Sequence, residues 1–156
     1  AFSIPVLSIT NVNGFKNCMC SEKKLAKALA RMTYAFSNAT CAKVNMITGE
    51  AYGSAYVFMN SKSIGADLVY AWNDAKIGTM DSTMAAKIMY PDADAAEIKE
   101  KASEYEKLQS SATSAAARGY VDRIIEPADS RKYLVAAFKM LYTKYISEPE
   151  KKHGTK

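Results

Sequence analysis

The 156 residues carry 21 Lys+Arg against 16 Asp+Glu, a formal charge of +5 at pH 7, and 49% of them are hydrophobic. That balance describes one globular domain able to fold without a disulfide or metal staple, and it excludes wholesale disorder. No apolar run approaches the roughly 18 residues that span a bilayer; the 3 cysteines (Cys18, Cys20 and Cys41) are odd in number and too few for a disulfide framework, which fits a reducing, cytoplasmic setting.

The chain opens Ala1-Phe2-Ser3-Ile4-Pro5 with no Met and no signal-peptide pattern, and it reads as part of a longer chain. Ile4 to Val12 predicts a buried strand through Ile4, Val6, Leu7, Ile9 and Val12, with Asn13-Gly14 as a turn. Ser21 followed by Glu22 predicts a helix start, because Ser caps free N–H groups and a first-turn carboxylate suits the dipole. Leu25, Leu29, Met32 and Phe36 form one helical face, Lys23, Lys24, Lys27 and Arg31 lie largely off it, and Asn38-Ala39-Thr40 ends the helix. Lys43 to Thr48 predicts a second strand closed by Gly49. The small residues Gly53, Ser54 and Ala55 then mark a strand–turn–helix junction. Ile64 to Trp72 and Ala75 to Met80 read as short strands around Asn73-Asp74.

Beyond this point the chain turns helical. Asp81 caps a helix through Met89, stopped by Tyr90-Pro91. Asp94 to Leu108 is a charged helix with a favourable Glu97–Lys101 pair, and Ser110 to Ser114 breaks it. Ala115 to Arg118 is short and helical, with Gly119 in the C′ position. Val121 to Glu126 is a last strand before Pro127. Asp129 or Ser130 caps a final helix with Leu134, Phe138, Leu141 and Tyr145 on one face, ended by Pro149. Strands early and helices late predict an α/β fold, with one sheet layer covered by helices and the last helix docking separately. The domain is expected over residues 1–148, with 149–156 as a mobile tail.

Composition also limits the chemistry. The single histidine, His153, sits in a polar tail, which argues against a His general base, a Ser/His/Asp triad or a His-rich metal site. Cys18-Met19-Cys20 lacks zinc-ligand spacing, and no glycine-rich phosphate loop is present. Residues 1–80 hold 8 basic and 4 acidic side chains, residues 81–156 hold 13 and 12, so the excess lies around Lys16, Lys23, Lys24, Lys27 and Arg31. A solvated helix face accounts for it; an anionic partner such as a phosphorylated cofactor, or nucleic acid, is the sharper alternative. The tyrosines are scattered and follow no nucleic-acid module.

The Gly53-Ser54-Ala55 junction suits an anion or a developing oxyanion. First-turn amides of a helix have no internal acceptor, and small side chains let a substrate oxygen approach the backbone. Tight packing of the helix on the sheet explains the same small residues, and the pattern alone favours that reading. Ser54 is a poor nucleophile, since no base accompanies it and the segment is not Gly-x-Ser-x-Gly.

The run Val44-Asn45-Met46-Ile47-Thr48-Gly49-Glu50-Ala51-Tyr52-Gly53-Ser54-Ala55-Tyr56 resembles the Val-x-x-Ile-Thr-x-Lys-Ala-Tyr-Gly-Gly-Ala-Tyr segment of biotin-dependent acyl-CoA carboxyltransferases. That family includes propionyl-CoA carboxylase beta, methylmalonyl-CoA carboxyltransferase, and the glutaconyl-CoA and methylmalonyl-CoA decarboxylases. Further matches follow in order. Ile4-Pro5-Val6 and Asn13-Gly14-Phe15 are similar to its Ile-Pro strand and Val-Pro-Gly-Phe, with Glu22 where the family has Glu after that turn. Tyr34-Ala35-Phe36 with Ala39-Thr40 is similar to its Tyr-Ala-Phe-x-x-Ala-Thr, and Asp67, Tyr70, Ala71 and Trp72 to its Asp-x-x-Tyr-Ala-Trp. Ala116-Ala117-Arg118-Gly119-Tyr120-Val121-Asp122 and Ile124-Ile125-Glu126-Pro127, with Arg131 following, are similar to its late Ala-x-Arg-Gly-Phe-Val-Asp-x-Ile-Ile-x-Pro. Each match is short; in order over residues 3–140 they are specific.

The resemblance implies a crotonase-like spiral of strand-strand-helix turns and covers the C-terminal half of the family's carboxyltransferase, the half that mainly holds biotin. It implies that the backbone N–H groups of Ser54 and Ala55 bind the ureido oxygen of biotin, with Gly53, Gly14 and Phe15 lining the cofactor site. Charge grows on that oxygen as the carboxyl group leaves, and backbone donors stabilise it without a side-chain base or a metal. The implied substrate is a coenzyme A ester. The implied partners are an N-terminal carboxyltransferase half, a biotin carboxyl carrier protein or domain, and further copies of the chain. Some glycines are lost: the family's second Gly is Ser54, its Val-Pro-Gly-Phe is Asn13-Gly14-Phe15, its Gly-rich stretch is Lys16 to Cys20, and its Met-Gly-x-x-Gly-Ala-Val is Met80-Asp81-Ser82-Thr83-Met84-Ala85-Ala86. These losses keep open a non-catalytic crotonase-like structural subunit, and a biotin-dependent decarboxylase component shares the same half.

Overall fold

Burial is concentrated on one strand. β2 (Lys43–Tyr52) buries Val44, Met46 and Ile47 almost in succession, the pattern of a strand covered on both faces in a parallel sheet. The structure is a computed structural model describing residues 2–147. It pairs β2 in parallel with β1 (Val6–Val12) on one side and β3 (Leu68–Trp72) on the other, with β5 (Arg123–Ile125) beyond β3. β3 takes only Val44 to Ile47; the distal stretch Glu50 to Tyr52 pairs instead with β4 (Lys76–Gly78). The described strands form one sheet layer, as expected, and β2 serves two segments of it, because β3 ends at Trp72 and the chain turns before β4.

Gly49 was expected to close β2, but the strand continues through it. The register with β1 jumps from Thr10↔Ile47 to Val12↔Ala51, so β2 carries extra residues at this point. Asn11 folds into the irregularity: its Oδ1 accepts from the Glu50 N–H at 3.0 Å. A Cβ on Gly49 would lie 2.8 Å from that oxygen, so a larger residue there would have to push the Asn11 side chain aside.

Side chains alternate between the two faces, and each face has its own core. Ile47, Ala51, Tyr56, Val69, Ile77 and Ala112 pack together on one, where α2 (Gly53–Phe58) and α5 (Ala112–Ala117) lie. Val44, Met46, Tyr70, Ile125 and Ala137 form the other, against α6 (Ser130–Met140) with Leu134, Phe138 and Leu141. The last helix thus docks on a cluster of its own, as expected. α1 (Met19–Asn38) lies outside both cores and has no fully buried residue; Leu25, Leu29, Met32 and Phe36 are half-buried, and Lys23, Lys24, Lys27 and Arg31 are exposed. α3 (Ser82–Met89) packs on α4 (Ala95–Tyr105), which runs into a π-helical turn at Glu106–Ser110. Among the described residues no helix is long and apolar enough to cross a membrane.

Several local expectations are corrected. β1 is an edge strand starting at Val6, with Ile4 and Ile9 exposed, while Thr10 is buried and donates to Asn45 Oδ1 at 2.8 Å. α1 begins at Met19; Ser21 meets the Cys18 thiol at 3.1 Å and caps nothing. Residues 62–64 form a 3₁₀ turn ahead of β3, and β4 spans only Lys76–Gly78. Lys101 pairs with Glu104 at 3.2 Å, not with Glu97, drawn over the Tyr90 ring. Ser111 caps α5 by accepting from the Ser114 N–H, so that helix starts earlier than expected. β5 is shorter than Val121 to Glu126. Neither Asp129 nor Ser130 caps α6, because the Ser130 hydroxyl donates to Pro127 O and accepts from Trp72 Nε1. Tyr145 lies past the end of α6 and is exposed. The cap at Asp81 and Gly119 at C′ (φ +82) are as expected, and Asp94, read as the first residue of the charged helix, caps α4. Pro149, His153 and the tail 149–156 lie outside the described residues.

Candidate functional site

At the end of β2 the chain passes from Tyr52, extended at φ −111 and ψ 141, into α2 within one residue. That residue is Gly53, at φ +61, where a Cβ would stand 3.1 Å from Thr79 O. Any other residue would be strained and crowded there. Ser54 and Ala55 follow in the first turn of α2, where amides lack intrahelical acceptors. The loop after β1 is held beside this junction: Asn13 Nδ2 donates to Glu50 Oε2 at 2.9 Å, and the Phe15 ring meets the Phe58 ring of α2 at 6.4 Å between centroids.

The result is a cavity of about 180 Å³. Gly14, Phe15, Gly53, Ser54 and Ala55, the five residues named from the sequence, line it together. Tyr52 also borders it, and Thr79, Met80, Asp81 and Met84 supply the other wall. That second wall was not named as a site. Its signal was present in the replacement of two family glycines by Asp81 and Met84, but Asp81 read as a helix cap. It is one, since Asp81 Oδ2 accepts from the N–H groups of Thr83 at 2.9 Å and Met84 at 3.3 Å.

Two phenols near the junction are held neutral. Burial, then the nearby negative charges of Glu50, Asp81 and Glu106, pushes the Tyr52 phenol up to about 12. Burial pushes Tyr56 up to about 12 as well. Both stay protonated at neutral pH, so neither is a base for Ser54. Among the described residues no cluster of three or more His, Cys, Asp or Glu could hold a metal ion. What the junction offers is backbone amides at a helix start beside apolar side chains, which is a setting for a carbonyl-type oxygen.

Larger concavities lack this combination. One of about 830 Å³ lies on α6 between Leu134, Phe138 and Tyr142 and is open and apolar. A groove of about 460 Å³ runs along α1 and shares Phe15 and Ser54 with the smaller cavity, extending it toward Lys16 and Glu22.

Comparison with known proteins bears on this geometry. The carboxyl transferase domain family matches residues 1–155. The chain is 44% identical over 161 residues to the methylmalonyl-CoA decarboxylase subunit alpha of Propionigenium modestum, covering 99% of this chain and 31% of that one. It is 40% identical over 164 residues to the propionyl-CoA carboxylase carboxyltransferase subunit of Haloferax mediterranei, covering 99% and 31%. The crystal structure of transcarboxylase 12S, a hexamer with methylmalonyl-coenzyme A bound, superposes with a TM-score of 0.92 at 38% identity, over 98% of this chain and 30% of that one. The chain therefore spans about a third of the length of the relatives it matches. Its fold is crotonase-like α/β, as the resemblance implied.

Proposed function

The chain belongs to the carboxyl transferase domain family, and from that premise we propose that it is the C-terminal, biotin-binding part of an enzyme moving a carboxyl group between biotin and an acyl-CoA. One observation carries this reading: Gly14, Phe15, Gly53, Ser54 and Ala55, drawn from separate parts of the sequence, line a single cavity. The amides of Ser54 and Ala55 donate to the ureido oxygen, Gly53 keeps side-chain bulk away from it, and Gly14 with Phe15 forms the flanking wall. Biotin, when bound, supplies the ring nitrogen that carries the carboxyl group. As charge develops on the ureido oxygen, each fixed donor stabilises it by about 2.7–4 kcal/mol in a dry site. No proton needs to move at this oxygen, which suits a cavity bordered by the neutral Tyr52 phenol.

The relatives' names point to a coenzyme A ester as substrate. The remaining two thirds of a relative's length would supply the N-terminal half that fixes it. A biotin carboxyl carrier protein or domain delivers the cofactor, further copies of the chain complete a homo-oligomer, and the free thiols of Cys18, Cys20 and Cys41 suit the cytoplasm. Residues 1–148 form one domain in this reading. A non-catalytic crotonase-like subunit is the second reading, favoured by Asp81 and Met84 standing in the cavity wall in place of glycines.

Titration of biotin methyl ester, followed by amide NMR, separates the two. Shifts at Ser54 to Tyr56 with a Kd near ~1 mM, about −4 kcal/mol, are expected for a site missing its opposite half. Ala55→Pro removes one donor and is expected to abolish binding, whereas Ala55→Gly retains it. Ala55→Pro binding as well as the parent, or shifts confined elsewhere, refutes the reading. Carboxyl transfer by this chain unaided is not expected, because the acyl α-carbon must be held near attack distance.

A further inference from the structure

Among the described residues lining the cavity, Asp81 alone carries a charge. Both of its assigned hydrogen bonds use one oxygen: Oδ2 accepts from the N–H groups of Thr83 and Met84. Among the described residues no cation pairs with it, and Oδ1 has no partner. The cap therefore fixes the carboxylate in place while leaving half of its accepting capacity open, so a ligand donor meets an oxygen already oriented.

This makes the cavity two-sided. Ser54 and Ala55, in the first turn of α2, line it on the β2–α2 side, and Asp81, with its one open oxygen, lines it on the α3 side. A ligand that offers acceptors only, such as inorganic phosphate, gains nothing from Asp81, whereas biotin keeps one ring N–H even when its other ring nitrogen carries the carboxyl group. A cyclic urea offers a C=O flanked by N–H groups and matches both walls at once. Resting on the biotin-site reading above, we propose that Asp81 Oδ1 accepts a ring N–H of the ureido group, which makes Asp81 a specificity-determining residue. The resembled family has glycine at this position, so the contact is one that this chain adds.

The test uses two small ureas with the same carbonyl: 2-imidazolidinone, which carries two N–H groups, and 1,3-dimethyl-2-imidazolidinone, which carries none. Binding is read from amide shifts at Ser54 to Tyr56 in the whole chain. The parent is expected to bind the N–H form about tenfold more tightly, the scale of one hydrogen bond to a charged group. Asp81→Asn keeps the helix cap, because Asn caps as well as Asp, but turns the open atom from acceptor to donor. It is expected to lose the tenfold preference while binding the dimethyl form as the parent does. Asp81→Ser, which caps with its hydroxyl and lacks a second acceptor, is expected to behave in the same way. Equal affinity for the two ureas in the parent, or a preference unchanged in both variants, overturns the role of Asp81 and leaves the Ser54–Ala55 reading standing. Neither urea shifting Ser54 to Tyr56 overturns both.

Discussion

Tyr56 is buried, and its hydroxyl has no hydrogen-bond partner among the described residues. An unmatched buried hydroxyl costs about 1–3 kcal/mol, so Tyr56→Phe is expected to raise stability by about 1 kcal/mol in urea denaturation. The phenols also set the alkaline limit of the fold. Burial raises Tyr52 and Tyr56 from 10.0 to about 12, so the folded state holds their protons where the unfolded state has lost them. Their contribution is fully present below pH 10 and is lost as pH rises through about 12. Tyr56→Phe is expected to flatten part of that fall, and an unchanged pH slope refutes the assignment. The sequence marked these tyrosines only as flanks of Gly53-Ser54-Ala55. That their hydroxyls leave water depends on packing against β4 and α5, which no local pattern records.

Among the elements, α6 is held at both ends. Trp72 Nε1 donates to Ser130 Oγ at its start, and beyond its end Lys144 Nζ lies 2.8 Å from Asp67 Oδ1 and donates to Cys41 O. Asp67 Oδ2 also accepts the Lys43 N–H at 2.7 Å, so one carboxylate joins the starts of β2 and β3 to the chain after α6. Lys144→Met leaves that carboxylate largely buried and unpaired, and a loss of up to about 3 kcal/mol is expected. Faster hydrogen exchange along α6 is the accompanying readout; unchanged protection there refutes the latch. The cap at Asp81 was legible because donor and acceptor lie within three residues. The latch joins residues 77 apart, and the Asn11–Glu50 bond that bends β2 joins residues 39 apart, so neither leaves a trace in spacing. For the same reason β1 read as buried: its apolar residues are present, but in this chain an edge position leaves Ile4 and Ile9 uncovered.

At the scale of the whole molecule, apolar side chains remain exposed on several elements besides β1. Met84, Ile88, Met89 and Leu108 lie on the α3–α4 hairpin and its continuation, and Val135, Met140 and Tyr142 on α6 and the turn after it. Patches of this kind mark association surfaces, and a chain spanning about a third of its relatives leaves such surfaces uncovered. Light scattering is therefore expected to show species larger than a monomer at high concentration; a monomer throughout refutes this. The candidate site divides the same way between legible and hidden. Its near wall lies on one continuous motif and the loop after β1, both of which the sequence displays. Its far wall, Thr79 to Met84, is placed by β4 lying against the distal half of β2, and that placement follows from the topology alone.

The parallel ladders carry a kinetic consequence. Among the described residues no two neighbouring strands are joined by a hairpin, so each pairing must close a loop before any contact rewards it, and β3 waits for β5 across the whole α3–α5 region. Closure entropy rises with loop length, and chains dominated by distant pairings fold slowly. On a ribosome β1 emerges before β2, the strand it pairs with among the described residues, and that pairing waits until the whole of α1 has been made. The cavity comes later still, since Asp81 faces Ser54 only after β4 has docked beside Glu50 to Tyr52. Ligand binding therefore reports on a late event in assembly, and a chain interrupted before residue 78 would hold the near wall with nothing opposite it.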